Sequence, residues 1–282
     1  MIFFLLNTLL AAAQECPRSK IKKIANINSD QITEASGIVV TETLIWVHND
    51  SGDSATLYAI SPNGQPLGSA PIKGAFARDW EDMTSFQKDG ERFFLIGDIG
   101  DNKERKTFTE FYVIQEPSHL GEVNLSYSFT VEYDIGPKDA EAMFVDPQTN
   151  DLIVLTKGRE GTAYWLRAPL PEEKSHIKMT VFHQEKVSEL PPVTKRDGAI
   201  LKTAADISPD GSWIITRNYL SSTLWYHPAG QDMALTLQQG TCPIPLPLQP
   251  QGETIAFAPD GKSLWTISEG KETILYKIEL FE

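Results

Sequence analysis

The chain has 282 residues, with 25 Lys plus Arg against 38 Asp plus Glu, a formal charge of −13 and a pI near 4.9. That excludes a nucleic-acid binder working by phosphate neutralisation and argues against adhesion to anionic membranes. With 41% hydrophobic residues, including 6 Trp and 13 Phe, the chain can bury a large core, and its length allows one large domain or two small ones.

The first segment, MIFFLLNTLLAAAQEC, is apolar from Ile2 to Ala13 apart from Asn7 and Thr8, and Ala11 and Ala13 supply the small residues of a cleavage site. About a dozen apolar residues cannot cross a bilayer core about 30 Å thick as a helix, so no membrane span is expected. Residues 1–13 are read as a signal peptide and 14–282 as one domain of a periplasmic or secreted protein. Two cysteines follow, Cys16 and Cys242. An even number in an exported chain suits a disulfide, two free thiols being the alternative.

Five segments then share one form: an apolar strand, a turn, a second strand ending in polar residues, and a third with aromatics. They begin at Ser36, Glu81, Glu141, Ala205 and Glu253, and their equivalent anchors are Ile38, Met83, Met143, Ile207 and Ile255. That spacing is the length of a four-stranded propeller blade with variable loops. The turns Pro209-Asp210-Gly211 and Pro259-Asp260-Gly261 have tight-turn chemistry. Outer strands are expected at 68–73, 126–134, 178–183 and 233–237.

The fifth segment ends one strand short, and Lys20 to Asn26 can supply the missing strand and close the ring. Cys16 then lies beside the closing strand and Cys242 near the neighbouring fourth blade, which favours the bridge. The expected fold is an all-β, five-bladed β-propeller closed by the N-terminal strand. A six-bladed ring is the alternative, should Pro169 to Thr203 hide a degenerate blade.

In such a fold, the connection into each first strand and the loop after each second strand share one face. The polar clusters sit at those two places. Glu141 is expected to meet Lys157, and Asp206 to meet Arg217. Asp79, Glu81 and Asp82 face Asp98, Asp101 and Asn102, and Glu253 faces Glu269. Carboxylates gathered without countercharge repel one another unless protons or a cation join them, and a hard cation with oxygen ligands points to Ca²⁺. The expected ligands are Glu81, Asp98, Glu141 and Glu253. Asp82, Asp101, Asn102, Lys157, Asp206, Arg217 and Glu269 would line the ligand site. His48 is the one histidine expected at this mouth and, with Glu81 and Glu141, a candidate catalytic group. Each carboxylate could instead cap its own turn. No nucleophile elbow, Walker loop, dinucleotide fingerprint, HExxH or paired CxxC occurs.

The strings Arg78-Asp79-Trp80-Glu81-Asp82, Gly97-Asp98-Ile99-Gly100-Asp101-Asn102 and Asp139-Ala140-Glu141-Ala142 resemble a family of exported bacterial propeller proteins with no established activity. More distantly the layout is similar to gluconolactonase-like, phytase-like esterase and NHL-type propellers. Those resemblances imply a metal at the channel mouth, although Lys157 and Arg217 stand where the lactonase pattern has amide ligands. The leading function is a monomeric module binding a small molecule or protein at this mouth. The alternatives are a metal-dependent hydrolase of phosphoesters, esters or lactones, with Lys157 and Arg217 holding an anionic group, and a glycosidase using paired carboxylates.

Overall fold

The computed structural model describes residues 15–187, 201–270 and 272–281. The expected leader, residues 1–13, lies outside the described residues, as does the 188–200 part of the segment weighed for a sixth blade.

The described chain is all-β apart from one short helix. After β1 (Arg18–Asn28), the first sheet is β2 (Ala35–Val40), β3 (Ile45–Asn49), β4 (Thr56–Ile60) and β5 (Pro66–Lys73). The second comprises β6 (Trp80–Lys88), β7 (Glu91–Asp98) and β8 (Thr109–Gln115), then, past the short β9 (Val123–Asn124) that pairs with β5, β10 (Tyr127–Tyr133). The third is β11 (Ala140–Val145), β12 (Asp151–Thr156), β13 (Thr162–Pro169) and β14 (His176–Lys186). A parallel β10–β14 pairing joins the second and third into one eight-stranded sheet. The fourth is β15 (Ala204–Ile207), β16 (Trp213–Arg217), β17 (Ser222–Tyr226) and, after helix α1 (Met233–Thr236), β18 (Cys242–Ile244). The last is β19 (Ala256–Phe257), β20 (Ser263–Thr266) and β21 (Glu272–Phe281), whose outer neighbour is β1.

The N-terminal strand therefore completes the C-terminal sheet, pairing antiparallel with β21 from Arg18 opposite Phe281 to Asn28 opposite Glu272. Cys16 and Cys242 are bonded, Cα atoms 5.3 Å apart, which ties β1 to β18 of the fourth sheet. Closing a 226-residue loop removes chain entropy worth about 5 kcal/mol from the unfolded state.

The fourth sheet differs from the sequence expectation. Residues 233–236 are helical, because the Asp232 side chain caps the turn by accepting from the Ala234 N–H at 2.8 Å. The outer strand falls instead at Cys242–Ile244, so Cys242 lies on the strand itself.

Strands β2, β3, β4 and β11 are buried along their whole length, whereas outer strands β5 and β14 mix buried and exposed residues. Continuous apolar runs belong to strands covered on both faces, and mixed ones to strands with a wet face. Aromatic side chains fill the space between sheets, Trp46 of the first against Phe94 of the second, and Trp165 of the third against Trp225 of the fourth. The first strands neighbour one another in a closed cycle: β2 with β6, β6 with β11, β11 with β15, β15 with β19, and β19 with β2. Among the described residues no helix is long and apolar enough to cross a membrane.

Candidate cation site at one end of the first strands

A backbone hydrogen bond clamps the two polar regions of each sheet together. Asp50 N–H donates to Glu34 O, Gly100 to Asp79, Lys157 to Asp139, Thr203 to Arg217, and Glu269 to Gln251, at 2.7 to 3.2 Å. The segment before each first strand and the loop after each second strand thus meet at one end of all five sheets.

A β-bulge at the same place in the first three sheets sets which side chains point there. Register shifts between Ala35 and Gly37, Trp80 and Asp82, and Ala140 and Ala142 leave Ser36, Glu81 and Glu141 as the extra residues. A bulged residue is unpaired in the ladder and its side chain is re-aimed, an arrangement common beside functional sites. Ser36 uses its freedom structurally, its hydroxyl donating to the Glu81 carbonyl. Glu81 and Glu141 instead place carboxylates among other carboxylates, and both are buried.

Two groups result, with ligand oxygens mutually within 4.8 Å: Asp50, Asp79 and Glu81, and Glu81, Asp139 and Glu141. The second carries its own countercharge. Lys157 Nζ donates to Glu141 Oε1, and Arg159 Nε to Asp139 Oδ2 at 2.6 Å. In the first, Lys106 lies 3.6 Å from Asp79 and 3.3 Å from Asp98, and Lys157 acts on Glu81 from its place beside Glu141. No described residue donates a hydrogen bond to the Glu81 carboxylate. Burial, with the charges of Glu141 and Asp50 close by, holds Glu81 well above the ordinary carboxylate range. Burial raises Glu141 to about 8 against the pull of Lys157, and Asp50 to about 6. Gly100 leaves the space beside them: a Cβ there would stand 2.1 Å from Glu81 Oε1 and 2.7 Å from the Asp79 carboxyl carbon.

The remaining expected residues have other partners. Asp98 Oδ2 accepts from Arg78 N–H at 3.2 Å, its Oδ1 pairs with Lys106, and it belongs to neither group. Asp101 Oδ2 caps its own turn through the N–H groups of Arg105 and Lys106. Asn102 accepts from Arg159. Glu253 accepts from the Tyr219 hydroxyl and shares a hydrogen bond with Glu269, which burial lifts to about 9.

Asp206 and Arg217 do not pair. In the ladder Arg217 stands opposite Ala204 and Asp206 opposite Ile215. The fully buried Arg217 guanidinium donates to the Thr254 carbonyl at 3.1 Å, Thr266 Oγ1 at 2.8 Å and Gln249 Oε1 at 3.0 Å, tying the fourth sheet to the fifth. Asp206 accepts from Phe257 N–H at 2.7 Å. Asp82 forms the same kind of link, from Met83 N–H and across to Met143 N–H, each at 2.9 Å. Both therefore bind one first strand to the backbone of the next.

His48 is fully buried, with Nδ1 2.9 Å from the Asn49 carbonyl and the ring edge-on to Trp80, centroids 5.3 Å apart. It packs against Gly37, where a Cβ would come within 2.1 Å of Nε2. Burial lowers it to about 4, leaving a neutral imidazole sealed between sheets rather than a base open to solvent.

Sequence reasoning named neither Asp50 nor Asp139 as a ligand, and missed Gly100 as the space beside them and Arg159 as the second countercharge. For Gly100 the visible signal was the Gly-Asp-Ile-Gly-Asp-Asn string, which sets a second glycine three positions after Gly97 among the acidic residues.

No family model matches the chain, and no curated protein does. Among solved structures it is similar to hydrazine synthase of Kuenenia stuttgartiensis, with a TM-score of 0.47 and 9% identity over 86% of this chain and 82% of that one. A likeness at that level carries no argument about activity.

Proposed function

We propose that the five sheets are the blades of an exported propeller, and that its acidic mouth binds Ca²⁺ between Asp50, Asp79 and Glu81, presenting the ion to a small-molecule or protein ligand. The closed cycle of first strands supports the ring, and the disulfide suits an oxidising compartment. The observation that carries the cation is the buried Glu81 carboxylate, which no described residue hydrogen-bonds, facing two further carboxylates across the gap at Gly100. Oxygens within 4.8 Å of one another can share one ion, and Ca²⁺ accepts flexible sets of carboxylate oxygens at about 2.3–2.6 Å. Three protein carboxylates leave coordination positions for oxygens of a ligand, which Lys106 and Lys157 flank.

The hydrolase reading has less support. It draws on Lys157 and Arg217 as holders of an anionic group, but Arg217 is buried against Gln249, Thr254 and Thr266, and His48, its candidate base, is sealed in the core. Thermal unfolding of the mature protein in EDTA and then in Ca²⁺ tests the proposal. Wild type is expected to gain several degrees with Ca²⁺ and Glu81→Gln to gain little. An equal rise in both, or none in wild type, would remove the ion from this mouth.

A further inference from the structure

The opposite end of the first strands holds a cavity of about 230 Å³. Each first strand contributes an apolar residue to its lining: Val40 of β2, Phe86 of β6, Val145 of β11, Ile207 of β15 and Phe257 of β19. Pro147, Pro209 and Pro259 occupy equivalent turns of three successive sheets and form part of the same wall. Proline fixes the backbone of those turns, so this part of the wall needs little ordering on binding.

Charge in the cavity is unbalanced. Arg92 is the one basic residue among its lining, and it is committed: NH1 and NH2 meet both Glu42 oxygens at 2.7 and 2.8 Å, and NH1 meets Glu116 at 3.2 Å. Asp206 also lines the cavity and remains partly accessible, yet no basic side chain among the described residues pairs with it. Its hydrogen bond from Phe257 N–H fixes the carboxyl at the apolar wall. Burial raises Asp206 to about 7, so at pH 8 it carries the charge that faces the cavity.

We infer that this cavity is a second binding site, selective for a small organic monocation: a primary ammonium that pairs with Asp206, carried on a compact apolar or aromatic body seated among Val40, Phe86, Val145, Ile207 and Phe257. An ammonium supplies the countercharge that Asp206 lacks, and a body of this kind displaces water from the apolar collar. An anion would meet the Asp206 carboxylate, and the Arg92 guanidinium that could draw it in is already taken by Glu42 and Glu116. The site lies at the other end of the strands from Glu81 and does not depend on the cation there.

Benzylamine at pH 8 and its neutral analogue benzyl alcohol are the probes. Calorimetric titration of the wild type is expected to give an affinity for benzylamine about tenfold or more above that for benzyl alcohol, about the effect of one charge-assisted hydrogen bond. In Asp206→Asn that preference should fall to within about twofold, while Glu81→Gln should keep it. Methyl resonances of Val40, Val145 and Ile207 should shift on binding. Equal affinity for amine and alcohol in wild type, absence of binding, or shifts at Ile99 by the acidic mouth instead would each overturn the proposal, even if Asp206→Asn failed to fold.

Discussion

Glu81 is the residue on which the proposed cation site turns, and its neighbour Gly100 gives a prediction separate from charge. A Cβ at position 100 would overlap Glu81 Oε1, and the far side is occupied by Asp79. Gly100→Ala should therefore push the two carboxylates apart and weaken Ca²⁺ binding by tenfold or more without altering the number of charges. Calcium titration followed by calorimetry measures this, and unchanged affinity would mean that the carboxylates bind no ion together. Protons compete for the same oxygens. Asp50 sits at about 6 and Glu81 well above the ordinary range, so at least one proton must leave for an ion to enter. Ca²⁺ affinity should then fall as pH drops, by up to about tenfold per pH unit near pH 7 and more steeply below pH 6, where Asp50 is protonated as well, a change of slope readable from titrations between pH 5 and 7. The charge types at this mouth were legible in the sequence because Asp-Trp-Glu-Asp and Asp-Ala-Glu-Ala recur at the same point of successive repeats. Their sorting was not legible. Glu81 and Asp82 are adjacent, yet a bulge sends one to the mouth and leaves the other as a backbone link, and a bulge depends on the partner strand's register.

At the scale of elements, the strand missing from the fifth repeat was readable, since that repeat held one strand fewer than the others and Lys20 to Asn26 had the alternation to pair with it, as β1 does with β21. The helix at 233–236 was not, because four residues hold no periodicity and only the Asp232 cap distinguishes them from a strand. Asp206 and Arg217 were misjudged for a related reason: sequence spacing placed them on one sheet, but the guanidinium turns to the next, where it meets the Thr254 carbonyl and Thr266 hydroxyl. The closing strand yields its own prediction. Replacing Cys16 and Cys242 by Ser frees the end of β1 and should destabilise the protein by up to about 5 kcal/mol, visible as a lower urea midpoint. The β1–β21 ladder would remain, so the variant should still fold. A midpoint equal to wild type under oxidising conditions would show that the ladder alone holds the closure.

Over the whole molecule, the burial of carboxyls sets how stability without added cation responds to pH. Asp206 is raised to about 7, Glu141 to about 8 and Glu269 to about 9, all from ordinary values near 4. A carboxyl raised on folding holds a proton that the unfolded chain has lost, so its stabilisation is full below the unfolded value and disappears as pH rises through the folded one. His48, lowered to about 4, acts in the opposite sense, but its effect is complete by about pH 6.5. From pH 6.5 to 9 the carboxyls act unopposed by it, and stability in EDTA should fall steadily across that interval. Calcium should flatten the curve, because an ion between Asp50, Asp79 and Glu81 offsets the repulsion that ionisation of Glu141 would otherwise add. Urea midpoints at pH 6.5, 7.5 and 8.5, with EDTA and with Ca²⁺, give two curves that should diverge toward high pH. Parallel curves would mean that the ion binds away from these carboxyls, and a midpoint rising with pH in EDTA would mean that they are already ionised in the folded protein.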